Sequence, residues 1–184
     1  MEIKYRLIKS NRKNLGLEIN EKGLTIRAPK WATNKEINAF VVKNEKWIMK
    51  HLQKYDNKKK EYEGIDKLSN EEIKELAAKA MDYIPKRVEY YSKLIGVTYG
   101  RITIRNQKTR WGSCSSKGNL NFNCLLMLTP PEVIDSIVVH ELCHRKEMNH
   151  SERFYAEVLR VYPEYHKWNK WLKENGGKIM YRMQ

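Results

Sequence analysis

The sequence predicts an α+β fold in which a strand-rich N-terminal lobe precedes a larger helical core. Three observations carry that prediction. Apolar and polar residues partly alternate through the opening stretch from Glu2 to Ala28; two capping-box signatures and one proline-led apolar run announce helices; and a second group of short strands, from "VTYGRITIR" to "LNFN", falls between the last two of those helices. A chain of 184 residues has room for one substantial core with an appendage. The expected division is a lobe over 1–60 and a core over 61–184.

In the lobe, "IKYRLI" and "LGLEI" read as strands. Gly23 in "NEKG" tolerates positive φ, so "LGLEI" and "LTIRA" should form a hairpin closed near Pro29. Thr33 and Glu36 have capping-box spacing, and Ile37, Phe40, Val41, Trp47 and Ile48 recur at helical intervals, which predicts one helix from about Asn34 to Leu52. The lysine-rich "QKYDNKKKEYEG" is the least patterned stretch and reads as a solvated linker between lobe and core, with a nucleic-acid contact as the alternative.

The core should begin with a long helix. Ser69 and Glu72 repeat the capping-box spacing, an apolar stripe runs from Ile73 to Ile95, Gly96 stops it, and Pro85 should kink or split it. "VTYGRITIR", "QKTRWGSCSSKG" and the start of "LNFNCLLML" then read as strands, with Gly118 at the wide turn. In "TPPEVIDSIVVHELCHRKE", Thr129 reads as N-cap, Pro130 as first helical residue and Glu132 as the box partner, and apolar residues cover most of the circumference. Such a helix is packed on two sides and makes a rigid platform. Finally, Tyr165, Trp168, Trp171 and Leu172 recur at helical spacing as an aromatic docking face ending at Gly176, followed by a loose tail or edge strand.

The formal charge is +14, from 36 Lys and Arg against 22 Asp and Glu, so the surface attracts polyanions whether or not a specific site exists. No apolar stretch approaches the roughly 18 residues of a membrane span, and no signal-peptide pattern opens the chain, so no membrane association and a cytoplasmic location are expected. Cys114, Cys124 and Cys143 form no C-x-x-C pair and read as reduced, mostly buried thiols.

The chemistry concentrates in "VVHELCHRKEMNHSERF", Val138 to Phe154, which holds three of the chain's 5 histidines. Residues four apart on a helix lie one turn above each other, so His140 and His144 can converge on one cation, with Zn–N distances of about 2.0–2.1 Å. Glu141, offset by about 100° around the axis, can then reach a water on that cation and take its proton during attack on a carbonyl, which is the physical content of H-E-x-x-H. Two histidines and a water leave a ligand missing. His150 supplies it if the chain leaves the helix near Met148 and Asn149 and turns back, with Ser151 capping a new helix whose inner face begins at Phe154 and Val158. The competing reading is a pair of hydrogen-bonded core imidazoles with Glu141 paired to an arginine, and Glu147 is an alternative ligand. His51 and His166 read as surface or packing histidines.

The run "RWGSCSSKGNLNFNCLLMLTPPEVIDSIVVHELCHRKEMNHSERF" resembles the signature of the YgjP-like metallopeptidase domain family of minimal zincin-type peptidases. The resemblance extends through "VEYYSKLIGVTYGRITIRNQKT" to "SNRKNLGLEI" and "LTIRAPKWAT". It implies a zincin-like core, Zn2+ on His140, His144 and His150, Glu141 as general base, and hydrolysis of peptide bonds in a protein or peptide substrate. The family is similar to SprT-like and WLM-type proteases, some of which degrade proteins crosslinked to DNA. By that analogy of fold, and beside the +14 charge, nucleic acid or a DNA-bound protein is a candidate partner. The rival function is a nucleic-acid-associated adaptor whose zinc is structural or vestigial. Glu147 stands where the wider zincins carry a turn glycine, and Tyr155 where relatives often carry Trp.

Around the motif, Trp111 is expected to pack beneath the metal helix or to wall the substrate cleft. The segment Ser113 to Ser116 can pair with an extended peptide. Arg110, Asn123 and Tyr155 are candidates for stabilising the oxyanion.

Overall fold

The computed structural model describes residues 3–20 and 23–183. Glu2, the first residue read as strand, and Glu21 and Lys22 of the hairpin turn lie outside the described residues. The chain divides into two compact units, Met1–Gly64 and Ile65–Gln184.

In the first unit, β1 (Arg6–Ser10), β2 (Gly16–Asn20) and β3 (Gly23–Pro29) form a sheet of order β1-β3-β2. β2 and β3 are antiparallel, with Leu17 opposite Ile26 and Ile19 opposite Leu24, as the hairpin pattern predicts, and Gly23 takes φ 83° where the turn enters β3. β1 pairs with β3 in parallel. Leu24, Ile26 and Ala28 of this central strand meet Ile37, Val41 and Ile48 in the unit's core.

The predicted single helix is two, α1 (Asn34–Lys43) and α2 (Glu45–Glu61). The Thr33–Glu36 capping box is formed. Asn44 breaks the helix: its φ is −104° and its side-chain amide donates to the Phe40 carbonyl, competing with helix continuation. The predicted linker is instead the last two turns of α2. Lysine and glutamine are good helix formers, Ile48 anchors the helix in the core, and Lys58, Lys59 and Lys60 complement the negative end of the helix dipole.

The second unit opens with α3 (Asn70–Ile95), capped by Ser69 and Glu72 and closed by Gly96 at φ 75°. Pro85 does not split it. Ala80, Ile84 and Val88 are fully buried on both sides of the proline, so tertiary packing holds the helix together across the lost hydrogen bond. β4 (Ile102–Arg105), β5 (Gly112–Cys114) and β6 (Leu120–Asn123) form a sheet of order β4-β6-β5, parallel between β4 and β6 and antiparallel between β5 and β6. A 3-10 helix over Cys124–Leu128 follows β6, where the sequence pattern was too short to separate strand from helix.

α4 (Pro131–Cys143) starts one residue later than predicted, with Pro130 as N-cap. Thr129 does not cap it, because its hydroxyl donates to the Leu126 carbonyl of the 3-10 helix. α5 (Glu152–Val161) is capped by Ser151, whose hydroxyl accepts from the Phe154 amide. α6 (Tyr165–Tyr181) runs through Gly176 and Gly177 instead of stopping there, and among the described residues a turn at Arg182 and Met183 follows it, where a loose tail or an edge strand was expected; Gln184 lies outside them. Gly176 is needed inside the helix: a Cβ there would stand 3.0 Å from Cζ2 of Trp111, and Met180 one turn on is buried. α6 is thus a packing partner of Trp111, which also lies against the main core. The mixed α+β class is the one predicted from sequence. Among the described residues no helix is long and apolar enough to cross a membrane.

Candidate metal centre

α4 is the central element of the second unit. Val133, Val138, Val139, Leu142 and Cys143 are buried against its neighbours α3, α5 and α6, at about 1.5–3 kcal/mol for each of the larger side chains. That packing fixes the rotation of the helix and so the direction of its one polar cluster. His140 and Glu141 lie in the last turn, and His144 is the C-cap with φ −62° and ψ −13°, close enough to helical to stand one turn above His140. The two imidazole centroids are 4.9 Å apart and nearly perpendicular.

The helix ends at Cys143, earlier than the departure predicted near Met148 and Asn149. Arg145 explains part of this, since its guanidinium donates to the carbonyls of Thr98 and Ser116 and draws the chain toward the β5–β6 turn. The carbonyl of Glu147 is 3.2 Å from Nδ1 of His144. Ser151 then starts α5, and His150, just before that cap, returns to the helix end: its Nε2 is 3.0 Å from Nε2 of His140. Phe154, fully buried, forms the floor, with its ring 4.9, 4.6 and 4.9 Å from the centroids of His140, His144 and His150.

Among the described residues, His140, His144 and His150 form a group able to hold a metal ion, with one donor atom from each lying within 4.8 Å of the others. The donor chemistry fits. Nδ1 of His144 faces a carbonyl, which accepts only from N–H, so Nε2 carries the lone pair; Nδ1 of His140 lies 2.8 Å from the Tyr165 hydroxyl, and the tautomer that donates to it leaves Nε2 bare as well. Three nitrogens around a tetrahedral zinc would be about 3.3 Å apart, a spacing bracketed by the separations here. Glu147 contributes its backbone carbonyl and is not in the donor group.

Burial, reinforced by the two neighbouring histidines, holds His140 down to about 3, so its ring is a neutral ligand at ordinary pH. Burial also lowers His144. Glu141, only 6% exposed, is pushed up to about 8 by burial, opposed by a hydrogen bond from the Cys114 amide. A cleft of about 290 Å³ opens over these groups, with Arg110, Gly112, Ser113 and Cys114 along one wall. His140, Glu141, His144 and His150 therefore meet at one place.

The flanking candidates separate. Arg110 lies on the cleft wall. Asn123 is buried and committed elsewhere: its amide donates to the carbonyls of Gln107 and Arg110 and its oxygen accepts from the Leu125 amide. Tyr155 stacks beside His150 at 6.2 Å. His51 stacks on Trp47 at 3.9 Å, and His166 lies 5.7 Å from the Tyr165 ring. The residue missed from sequence is Tyr165, assigned to a docking face and found against His140; no local pattern connects positions 25 apart.

Comparison with known proteins adds an independent line. The family described as "YgjP-like, metallopeptidase domain" matches residues 13–74 and 65–175. Two solved structures are similar over half of the chain: the metallopeptidase zymogen abylysin of Pyrococcus abyssi, 22% identical over 50% of this chain and 93% of that one, and the zymogen jannalysin of Methanocaldococcus jannaschii, 21% identical over 50% and 95%. Both have a TM-score of 0.45. No curated protein gives a significant match.

Proposed function

Because the chain belongs to the YgjP-like metallopeptidase family, we propose that it hydrolyses peptide bonds at the end of α4 in a zincin-like core. In this reading zinc is held by His140, His144 and His150, and Glu141 is the general base. The observation that carries the reading is the convergence of three imidazoles and one buried carboxylate on a single open cleft. Bound there, zinc supplies Lewis-acid polarisation of a carbonyl and acidifies water. Glu141 takes a proton from the attacking water at its carboxylate and passes it to the departing amine. Burial raises the proton affinity of that carboxylate, which suits the transfer near neutral pH. Tyr165 and the Glu147 carbonyl hold two of the rings in orientation, and Phe154 keeps water from beneath them.

Glu141→Gln is the direct test, with fluorescein-labelled casein as substrate. It is expected to retain one zinc per chain and to lose turnover by at least about 100-fold; full activity would refute the assignment of the base. The adaptor reading, with a structural zinc, requires four protein donors. The donor group among the described residues has three, and its remaining side faces the cleft.

Nucleic acid, or a protein bound to it, is proposed as a partner on a separate observation in the first unit. Trp47 and His51 stack on an exposed face of α2 with Lys54 and Lys58 beside them, and residues 1–64 carry 16 Lys and Arg against 8 Asp and Glu. Lysines that meet phosphates beside rings able to stack on bases suit a single strand. Binding to a labelled oligothymidine should weaken steeply with salt and fall further in Lys54→Glu/Lys58→Glu. Absence of binding at low salt would remove the proposal.

A further inference from the structure

The β5–β6 hairpin meets the end of α4 with almost no space between them. Across the hairpin, the Asn123 amide donates to the Trp111 carbonyl and the Ser115 amide to the Asn119 carbonyl. The backbone groups of odd-numbered residues therefore face β6, while those of Gly112 and Cys114 face the free edge of the sheet. At that edge the Cys114 N–H faces the Glu141 carboxylate and opposes the upward push of burial on it. A Cβ placed on Gly112 would stand 2.7 Å from Oε1, 2.8 Å from Cγ and 3.0 Å from Cδ of Glu141. The clash involves the whole end of the side chain, and with Glu141 6% exposed, relief requires swinging the carboxylate toward the cleft that it lines. Gly112 does not need to be glycine for its backbone angle, since the positive-φ glycines are Gly23, Gly64, Gly96 and Gly118. Its requirement is the missing side chain.

We infer that Gly112 is a positioning residue for the reaction: its bare Cα and the Cys114 amide form a backbone slot that holds the Glu141 carboxylate in its working orientation. This rests on the role of Glu141 proposed above. The slot restricts the carboxylate from two sides, by an N–H turned toward it and by hard contact along the chain. An alanine at 112 would leave the three histidines untouched and turn the base out of line, and a displacement near 1 Å costs about 100-fold in rate.

The test is a double-mutant cycle on the zinc-loaded full chain, with thermal melting, zinc content and the Cys114 amide proton resonance read beside casein hydrolysis. Gly112→Ala should keep one zinc per chain, lose about 100-fold in kcat with KM within about threefold, and move the Cys114 amide resonance to its position in Glu141→Ala. It should also lower Tm in the wild-type background but not in the Glu141→Ala background, where the new methyl group has room. If Gly112→Ala alone is too unstable to assay, Gly112→Ala/Glu141→Ala should still fold. Equal losses of Tm in both backgrounds, or an unmoved Cys114 resonance, would overturn the inference while an inactive Glu141→Gln leaves the proposed function standing. A fully active Glu141→Gln would overturn both.

Discussion

The hydroxyl oxygen of Tyr165 lies 2.8 Å from Nδ1 of His140. It joins the first turn of α6 to the last turn of α4, and at 4% exposure the phenol has no water to turn to. Burial, its first cause, pushes Tyr165 up to about 12, so it stays a neutral hydroxyl throughout the working range. In the tautomer that donates from Nδ1 to this oxygen, Nε2 of His140, which lies toward His150, is left without a proton.

Tyr165→Phe removes that hydroxyl while keeping the ring that fills the space. Zinc affinity, measured by competition with a chromogenic chelator, is expected to weaken by about 10- to 100-fold with little change in Tm. An unchanged affinity would reduce Tyr165 to a packing residue.

His150 is the donor contributed from outside the helix, and it is exposed where His140 and His144 are not. His150→Ala should therefore leave the fold intact and reduce zinc to a weakly held, substoichiometric amount after dialysis. One tightly held zinc per chain in that variant would show that another group completes the site.

The parts of this site that local rules govern were legible in the sequence. The four-residue step from His140 to His144 and the capping spacings at Thr33 and Ser69 depend on one turn of helix each, and the structure has all three. What was not legible depends on partners far along the chain. Tyr165 reaches His140 across 25 residues, and Gly112 is glycine because of Glu141. Two of the helix discrepancies have the same origin, since Gly176 persists within α6 because Trp111 covers it, and Pro85 within α3 because Ile84 and Val88 are buried beside it. The lysine run misled differently: its charge suggested a linker, while its helix propensity and place at the helix C-terminus favoured α2.

Asn123 ties the loop before β5 to the sheet, and its side chain uses both polar atoms while 1% exposed. Asn123→Ala leaves the carbonyls of Gln107 and Arg110 and the amide of Leu125 without it, at a cost of about 2–4 kcal/mol, readable by urea denaturation. Because Arg110 rides on that loop, protease cleavage between Gln107 and Trp111 should also accelerate. A loss under about 1 kcal/mol would mean that water replaces the side chain.

The turn that returns His150 is held at its outer side by Glu157 of α5, 2.6 Å from Nζ of Lys146 and 2.7 Å from Nη2 of Arg160. The Arg160 hydrogen bond first, and then that of Lys146, hold Glu157 down to about 2 against burial; the nearby Cys143 thiol, pushed up by burial, stays neutral. The folded-state value lies below the ordinary 4.5, so the native state binds fewer protons here than the unfolded chain. The stabilisation is complete above about pH 5 and is lost as pH falls through about 2. With Lys146 and Arg160 partly exposed, about 1–2 kcal/mol is expected after screening. The difference in Tm between wild type and Glu157→Gln should therefore be constant from pH 8 to about 5, shrink toward zero by about pH 2, and diminish in high salt. A difference that persisted undiminished at pH 2 would assign the effect of Glu157 to packing instead of charge.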